Sequence, residues 1–130
     1  MESEGSLDKI KLIDFGISYA WSQDDTSQHK EGTLYFCPPE MLRKVEEEWD
    51  YTVTPKSDIY SMGVTLYKLV TNKMPFWGEK KSDVIDKILE GDLWFPKNIS
   101  SDLWDLIWRL LKEKLERPDV DELMYHPWLQ

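Results

Sequence analysis

Residues 57–70 read Ser57-Asp58-Ile59-Tyr60-Ser61-Met62-Gly63-Val64-Thr65-Leu66-Tyr67-Lys68-Leu69-Val70. The spacing of Ile59, Met62, Val64, Leu66, Tyr67, Leu69 and Val70 predicts a helix that is apolar almost all round, and such a helix belongs in the middle of a domain. Ser57 and Asp58, just after Pro55, have short polar side chains suited to cap it. Toward the C-terminus, Asn72 to Gly78 with Pro75 reads as a turn. Val84, Ile85, Ile88 and Leu89 then recur at helical spacing before Gly91, which is placed to end that helix. Ser101 caps a further helix whose inward stripe is Leu103, Trp104, Ile107, Leu110 and Leu111, with Asp102, Asp105 and Lys112 on the wet side. Asp119 and Glu122 have capping-box spacing, and Pro127 stops the last helix.

Toward the N-terminus, Pro38-Pro39-Glu40-Met41-Leu42 suits a short helix start, because proline is tolerated in the first turn and glutamate complements the helix dipole. Glu46, Glu47 and Glu48 read as a solvated acidic face, and Ser22 to Gly32 as an exposed polar loop. Ile10, Leu12 and Phe15 alternate with Lys9, Lys11 and Asp14, which predicts a short strand over residues 7–15 running into Gly16, a residue free to take unusual backbone angles. The expected fold is mainly α with a short N-terminal β-strand or hairpin.

Composition bounds the function. A chain of 130 residues with 41% apolar and 13% aromatic side chains can build one core. A net charge of −9 argues against nucleic acid and anionic membrane surfaces, which demand clustered Lys and Arg. Cys37 is the only cysteine, so no internal disulfide forms, and no apolar run is long enough to span a bilayer. The acidic start of the chain does not read as a signal peptide, and a reducing cytoplasmic or nuclear setting is expected. Five of the tryptophans, Trp21, Trp49, Trp77, Trp94 and Trp108, are expected in core and shell packing along with Trp104 and Trp128. His126 reads as a structural helix-end residue, since no Cys-His cluster exists.

Order and spacing give these elements a family resemblance. Leu12-Ile13-Asp14-Phe15-Gly16, then Gly32-Thr33, then Pro39-Glu40 resemble the activation segment of a protein kinase, from its metal-binding start to its Ala-Pro-Glu end. Ser57 to Val64 is similar to the central-helix signature of the same family. Lys73-Met74-Pro75-Phe76 resembles the turn after it, and Arg117-Pro118 with His126-Pro127-Trp128 the closing helices. The resemblance covers residues 7–129 and implies an incomplete, protein-kinase-like C-terminal lobe. Residues 1–6 form a polar N-terminal segment, residues 14–40 the activation segment and residues 41–130 a helical subdomain. The Gly32-Thr33 pair resembles serine/threonine kinases. Met62 to Tyr67, and Phe95-Pro96 before Asp102 to Ile107, look like a calcium/calmodulin-dependent protein kinase kinase. Departures are Pro38 where the family has Ala, and Lys114-Leu115 in place of Asp-Pro before Arg117, in a segment one residue short.

The resemblance implies roles residue by residue. Asp14 would bind the Mg2+ that bridges ATP phosphates, Phe15 would pack under a helix of the N-terminal lobe and Gly16 would hinge the segment. Read without the resemblance, the same three residues are turn chemistry. Thr33 would face the substrate, or bond its own backbone. Thr26 and Ser27 lie where phosphorylation orders many activation loops, and an unmodified solvent loop is the alternative. Glu40 and Arg117 would form a buried ion pair, Gly63 belongs to the central-helix signature, and Asp58 would either hold the catalytic loop or cap its own helix.

The Gly-rich loop, the strand Lys with its helix Glu, and the H-R-D-x-x-x-x-N loop that supplies the base do not occur in this sequence. The catalytic residues are therefore expected upstream, in a longer parent that uses ATP and Mg2+, and the chain alone is expected to be inactive. Its expected partners are the missing N-terminal lobe or a protein substrate. The rival reading is a non-catalytic interaction module, a pseudokinase or regulatory fragment, and an apolar strip left on the central helix predicts self-association.

Overall fold

The computed structural model describes residues 10–16, 18, 20, 33–45, 48–49 and 52–130. Four α-helices carry the described fold: α1 (Pro55–Thr71), α2 (Lys81–Glu90), α3 (Ser101–Leu110) and α4 (Val120–Met124). Single 3-10 turns at Leu34–Phe36, Pro39–Met41 and Pro127–Leu129 join them, with a two-residue hairpin of β1 (Lys44–Val45) and β2 (Glu48–Trp49) paired antiparallel. The mainly helical architecture expected from the sequence is therefore present. Residues 10–16 carry no strand, so the expected N-terminal strand has no ladder among the described residues, and the β-structure sits at 44–49 instead. Glu48, expected on a solvated acidic face, is a strand residue.

Helix α1 is the axis of the core, as its sequence requires. Ile59, Tyr60, Val64 and Tyr67 are buried, and two apolar clusters form on different sides of the helix. Tyr60, Val64 and Tyr67 pack with Phe76, Val84, Ile88, Ile107 and Leu111. Ile59 packs with Leu106, Leu110 and Leu123. A third side stays bare: Met62 and Leu69 are 58% and 77% exposed, the strip expected from the all-round apolar pattern.

The caps differ from expectation by a few residues. The helix begins at Pro55 with Thr54 as N-cap, and the Thr54 N–H donates to Ser57 Oγ at 3.3 Å, while the Thr54 hydroxyl finds no partner among the described residues. Ser57 thus supplies one arm of the cap from inside the helix. Asn72 ends α1 in the left-handed conformation at φ 58°, and Gly91 ends α2 at φ 74°, where a Cβ would be strained. Ser100, one residue earlier than expected, caps α3 by accepting from the Leu103 N–H at 3.2 Å. Asp119 caps α4 through the Glu122 N–H at 2.9 Å, as its spacing foretold.

The buried stripe of α3 is Leu106, Ile107 and Leu110, and Trp104 lies outside it at 48% exposure. Trp77, Trp94, Trp108 and Trp128 are also partly exposed, at 58%, 58%, 43% and 40%, so of the core and shell packing expected for the tryptophans only the shell part applies to these. Trp21 lies outside the described residues, as does the side chain of Trp49. Among the described residues no helix is long and apolar enough to cross a membrane.

Candidate functional site

The site is built around Arg117, the largest fully buried side chain of the chain's described part. Its Nη1 and Nη2 grip Glu40 Oε1 and Oε2 at 2.8 and 2.9 Å, a two-pronged pair that a planar guanidinium fits and a lysine cannot. Nη1 also donates to the Lys56 carbonyl at 2.7 Å, and Nε and Nη2 to the Lys112 carbonyl at 3.1 and 2.9 Å. These bonds use all five N–H donors that a guanidinium has. The ring of Tyr60 covers the cation at 5.0 Å from its centroid, and burial pushes the Tyr60 hydroxyl well above its ordinary range. Arg117 thereby ties three separate stretches together: the Pro-Glu turn at 39–41, the start of α1, and the turn after α3.

The Glu40–Arg117 pair is the ion pair that the sequence implied. The structure adds a second clamp that sequence reasoning missed. Arg43 Nη1 and Nη2 reach Glu113 Oε2 and Oε1 at 2.6 and 2.7 Å, and the guanidinium holds the Glu113 carboxyl below its ordinary value. Lys56 Nζ donates to the Lys114 carbonyl at 3.2 Å. Neither Arg43 nor Glu113 stands in a recognisable motif, and they are 70 residues apart, so nothing in the sequence announced them. The shortened turn before Arg117 closes nonetheless, with the N–H groups of Glu116 and Arg117 both donating to the Glu113 carbonyl. Leu115 is left at 94% exposure by that turn.

Residues 33–39 are held by this anchor at one end and by α1 along their length. Thr33 precedes the 3-10 turn and is exposed, its carbonyl accepting from the Phe36 N–H at 3.0 Å. Its hydroxyl makes no cap bond to that turn. Leu34, Tyr35 and Phe36 pack against the core cluster, and the Ser61 hydroxyl donates to the Phe36 carbonyl at 3.1 Å. Cys37 follows, half-buried, its thiol pushed up to about 11 by burial and by the Glu40 charge. It stays a thiol at neutral pH and offers no nucleophile.

Asp14, Phe15 and Gly16 lie apart from the core on the exposed stretch 10–16. Asp14, and not Gly16, takes the left-handed backbone at φ 61°, a conformation that aspartate tolerates better than most residues. A short turn follows, with the Ser18 N–H and hydroxyl both donating to the Phe15 carbonyl, at 3.1 and 2.7 Å. Phe15 is 65% exposed. An exposed carboxylate fits a Mg2+ site as one oxygen ligand, since this ion keeps several waters and takes few protein groups. Among the described residues no cluster of three or more His, Cys, Asp or Glu side chains forms to complete it. Any further contacts of such an ion would come from groups other than these described residues.

Asp58 sits in the first turn of α1 with an exposed side chain and no hydrogen bond among the described residues, so it does not cap the helix. Gly63 is where α1 and α3 touch: a Cβ there would lie 2.7 Å from Leu110 Cβ and 3.0 Å from Leu111 Cδ2. Gly32, Thr26 and Ser27 lie outside the described residues.

Comparison with known proteins decides what this anchored segment belongs to. The family model described as "Protein kinase domain" matches residues 2–129. The chain belongs to the protein kinase domain family. Among curated proteins it is 35% identical over 121 residues to Protein kinase kin1 of Schizosaccharomyces pombe, covering 92% of this chain and 13% of that protein. It is 32% identical over 126 residues to Calcium-dependent protein kinase 1 of Arabidopsis thaliana, covering 93% and 20%. It is 39% identical over 123 residues to an Aurora kinase of Debaryomyces hansenii, covering 92% and 28%. The chain thus spans between 13% and 28% of the length of these kinase relatives. The kinase family uses ATP and Mg2+.

Proposed function

We propose that this chain is the substrate-side half of a serine/threonine kinase domain. The parent protein moves the γ-phosphoryl group of ATP to Ser or Thr hydroxyls of protein substrates, in the cytoplasm or nucleus. The observation that carries the reading is the Arg117 anchor. It fixes Glu40 at one end of the segment, while residues 34–36 dock on the core cluster and Thr33 stands exposed just before them. Positioning and charge stabilisation are nearly the whole of phosphoryl-transfer catalysis, so a fixed substrate-side loop is a working part even where the base is elsewhere. Asp14 supplies one magnesium ligand. Thr26 and Ser27 are the regulatory phosphorylation positions of this reading, and Gly32 pairs with Thr33 in the substrate loop. The likeness to calcium/calmodulin-dependent protein kinase kinases rests on residues 62–67 and 95–107 alone.

The coding sequence upstream of Met1 tests the reading. In-frame codons for an H-R-D-x-x-x-x-N loop are expected; an in-frame stop with no such codons would overturn it. The purified chain with Mg2+ and ATP is expected to transfer no phosphate to a generic Ser/Thr substrate, and measurable transfer would contradict the division of labour proposed.

A second reading has its own support. The exposed strip of Met62 and Leu69 on α1 favours an interaction module that covers this face with a partner or a second copy. Size-exclusion chromatography with light scattering separates the two: concentration-dependent dimers are expected if the strip is an interface of the isolated chain, and a folded monomer counts against it.

A further inference from the structure

The exposed tryptophans of α3 form a pocket that the kinase reading does not use. Ser101, Trp104, Asp105 and Trp108 share one helix face and line a cavity of about 300 Å3. Trp104 and Trp108 are 48% and 43% exposed, one helical turn apart with Asp105 between them. Trp104 is braced from behind by Phe95, at 4.9 Å between ring centroids, and Phe95 in turn meets Tyr67 edge-on at 5.7 Å. Trp108 already has the Lys112 ammonium 6.0 Å from its ring centre, at the limit of a cation–π contact.

Asp105 lines the pocket between the two indoles and is held by two donors. Its Oδ2 accepts from Arg109 Nε at 2.7 Å and from His126 Nε2 at 2.8 Å. His126 is buried, and its Nδ1 accepts from the Trp128 N–H at 3.2 Å, which leaves the ring proton on Nε2 and makes it the donor. Both donors favour the ionised carboxylate and hold its pKa below the ordinary value. The two bonds occupy both lone-pair directions of Oδ2, whereas Oδ1 accepts no hydrogen bond among the described residues. One free oxygen cannot take the two-pronged grip of an arginine, but it suits the point charge of an ammonium.

We propose that the Trp104–Asp105–Trp108 pocket docks a lysine side chain of a partner protein. The indole faces line the aliphatic stem and attract the cation, and Asp105 Oδ1 accepts from the ammonium. The net charge of −9 draws basic partners generally. On α3 and its end, Asp102 and Asp105 are balanced by Arg109 and Lys112, so selectivity comes from short-range contact rather than from a local field. The inference stands on α3 and the closing turn, and does not depend on where the catalytic loop lies.

Nuclear magnetic resonance of the indole N–H groups tests it. The two signals are assigned with Trp104→Leu and Trp108→Leu, and the chain is titrated with a blocked Gly-Gly-Lys-Gly-Gly peptide. Matched peptides carrying arginine or norleucine in place of lysine serve as comparisons. The lysine peptide is expected to shift both signals to saturation, with the norleucine peptide weaker by about fivefold, the scale of one exposed cation–π contact with its ion pair. The arginine peptide falls between them. Asp105→Asn, which keeps an acceptor for Arg109 and His126, is expected to erase the lysine preference while the circular dichroism stays unchanged. Equal shifts by lysine and norleucine would show a merely apolar groove and overturn the proposal. So would a tighter arginine peptide, or no movement of either signal at about 50 mM peptide, the range where single-side-chain contacts register. The peptide comparison uses the unaltered chain, so it decides the matter even if a leucine variant fails to fold.

Discussion

Removing Arg117 is the perturbation that bears most directly on the anchor. Arg117→Met keeps much of the side-chain volume but deletes five hydrogen bonds, leaving the Glu40 carboxylate 14% exposed and uncompensated. The carbonyls of Lys56 and Lys112 lose these donors as well. Stranding one member of a buried ion pair costs about 3–5 kcal/mol. Domains of this size are stable by about 5–15 kcal/mol, so the variant loses about a fifth or more of its margin. At about 4 °C per kcal/mol the melting temperature falls by roughly 15 °C. Thermal melts followed by far-UV circular dichroism, with urea titrations for the free energy, read the effect. The paired variant Glu40→Leu with Arg117→Met removes both charges, and is expected to lose less than Arg117→Met alone because no buried charge is left unpaired. A single-variant loss below about 1 kcal/mol, the value of a surface pair, would refute the assignment of Arg117 as the anchor. A double variant as costly as the two singles summed would refute the charge argument.

Three further outcomes follow from neighbouring geometry. Gly63→Ala gains about 1 kcal/mol of helix propensity, yet its Cβ meets Leu110 Cβ at 2.7 Å, too close to be relieved by a rotamer change. Overpacking of this kind costs about 1–3 kcal/mol, so a lowered melting temperature is expected, and an unchanged one would show that α1 and α3 separate freely. Arg43→Ala, by contrast, removes an exposed pair and costs at most about 1 kcal/mol, less in high salt. Arg43 holds the folded Glu113 carboxyl below its ordinary value of 4.5, so the unfolded chain takes up that proton first as pH falls. The contribution is intact above pH 4.5 and is lost as pH drops through the folded value. Glu113→Gln is therefore expected to flatten the acid limb of the stability profile, and an unchanged limb would remove Glu113 from the account.

The central helix, the second helix with Gly91, and the Asp119 cap were legible because each depends on local spacing that a linear reading captures. The boundaries of α1 and α3 were less so. Thr54 and Ser100 took the caps because backbone angles decide which of several adjacent polar residues accepts the first N–H groups. The inward stripe of α3 was misjudged at Trp104. Its position borders the apolar face, and only the placement of Phe95 and Leu106 shows that the indole stands at the margin and not beneath it.

By itself the sequence determined the family, through motif order from Asp14 to Arg117. That order is a property of residue identity and spacing. Only the tertiary structure decided how Arg117 spends its donors, that Arg43 and Glu113 form a second clamp across 70 residues, and that Asp105 keeps one oxygen free beside two indoles. These depend on distances between segments remote in sequence, which the packing of α3 against α1 at Gly63 sets and no local pattern encodes.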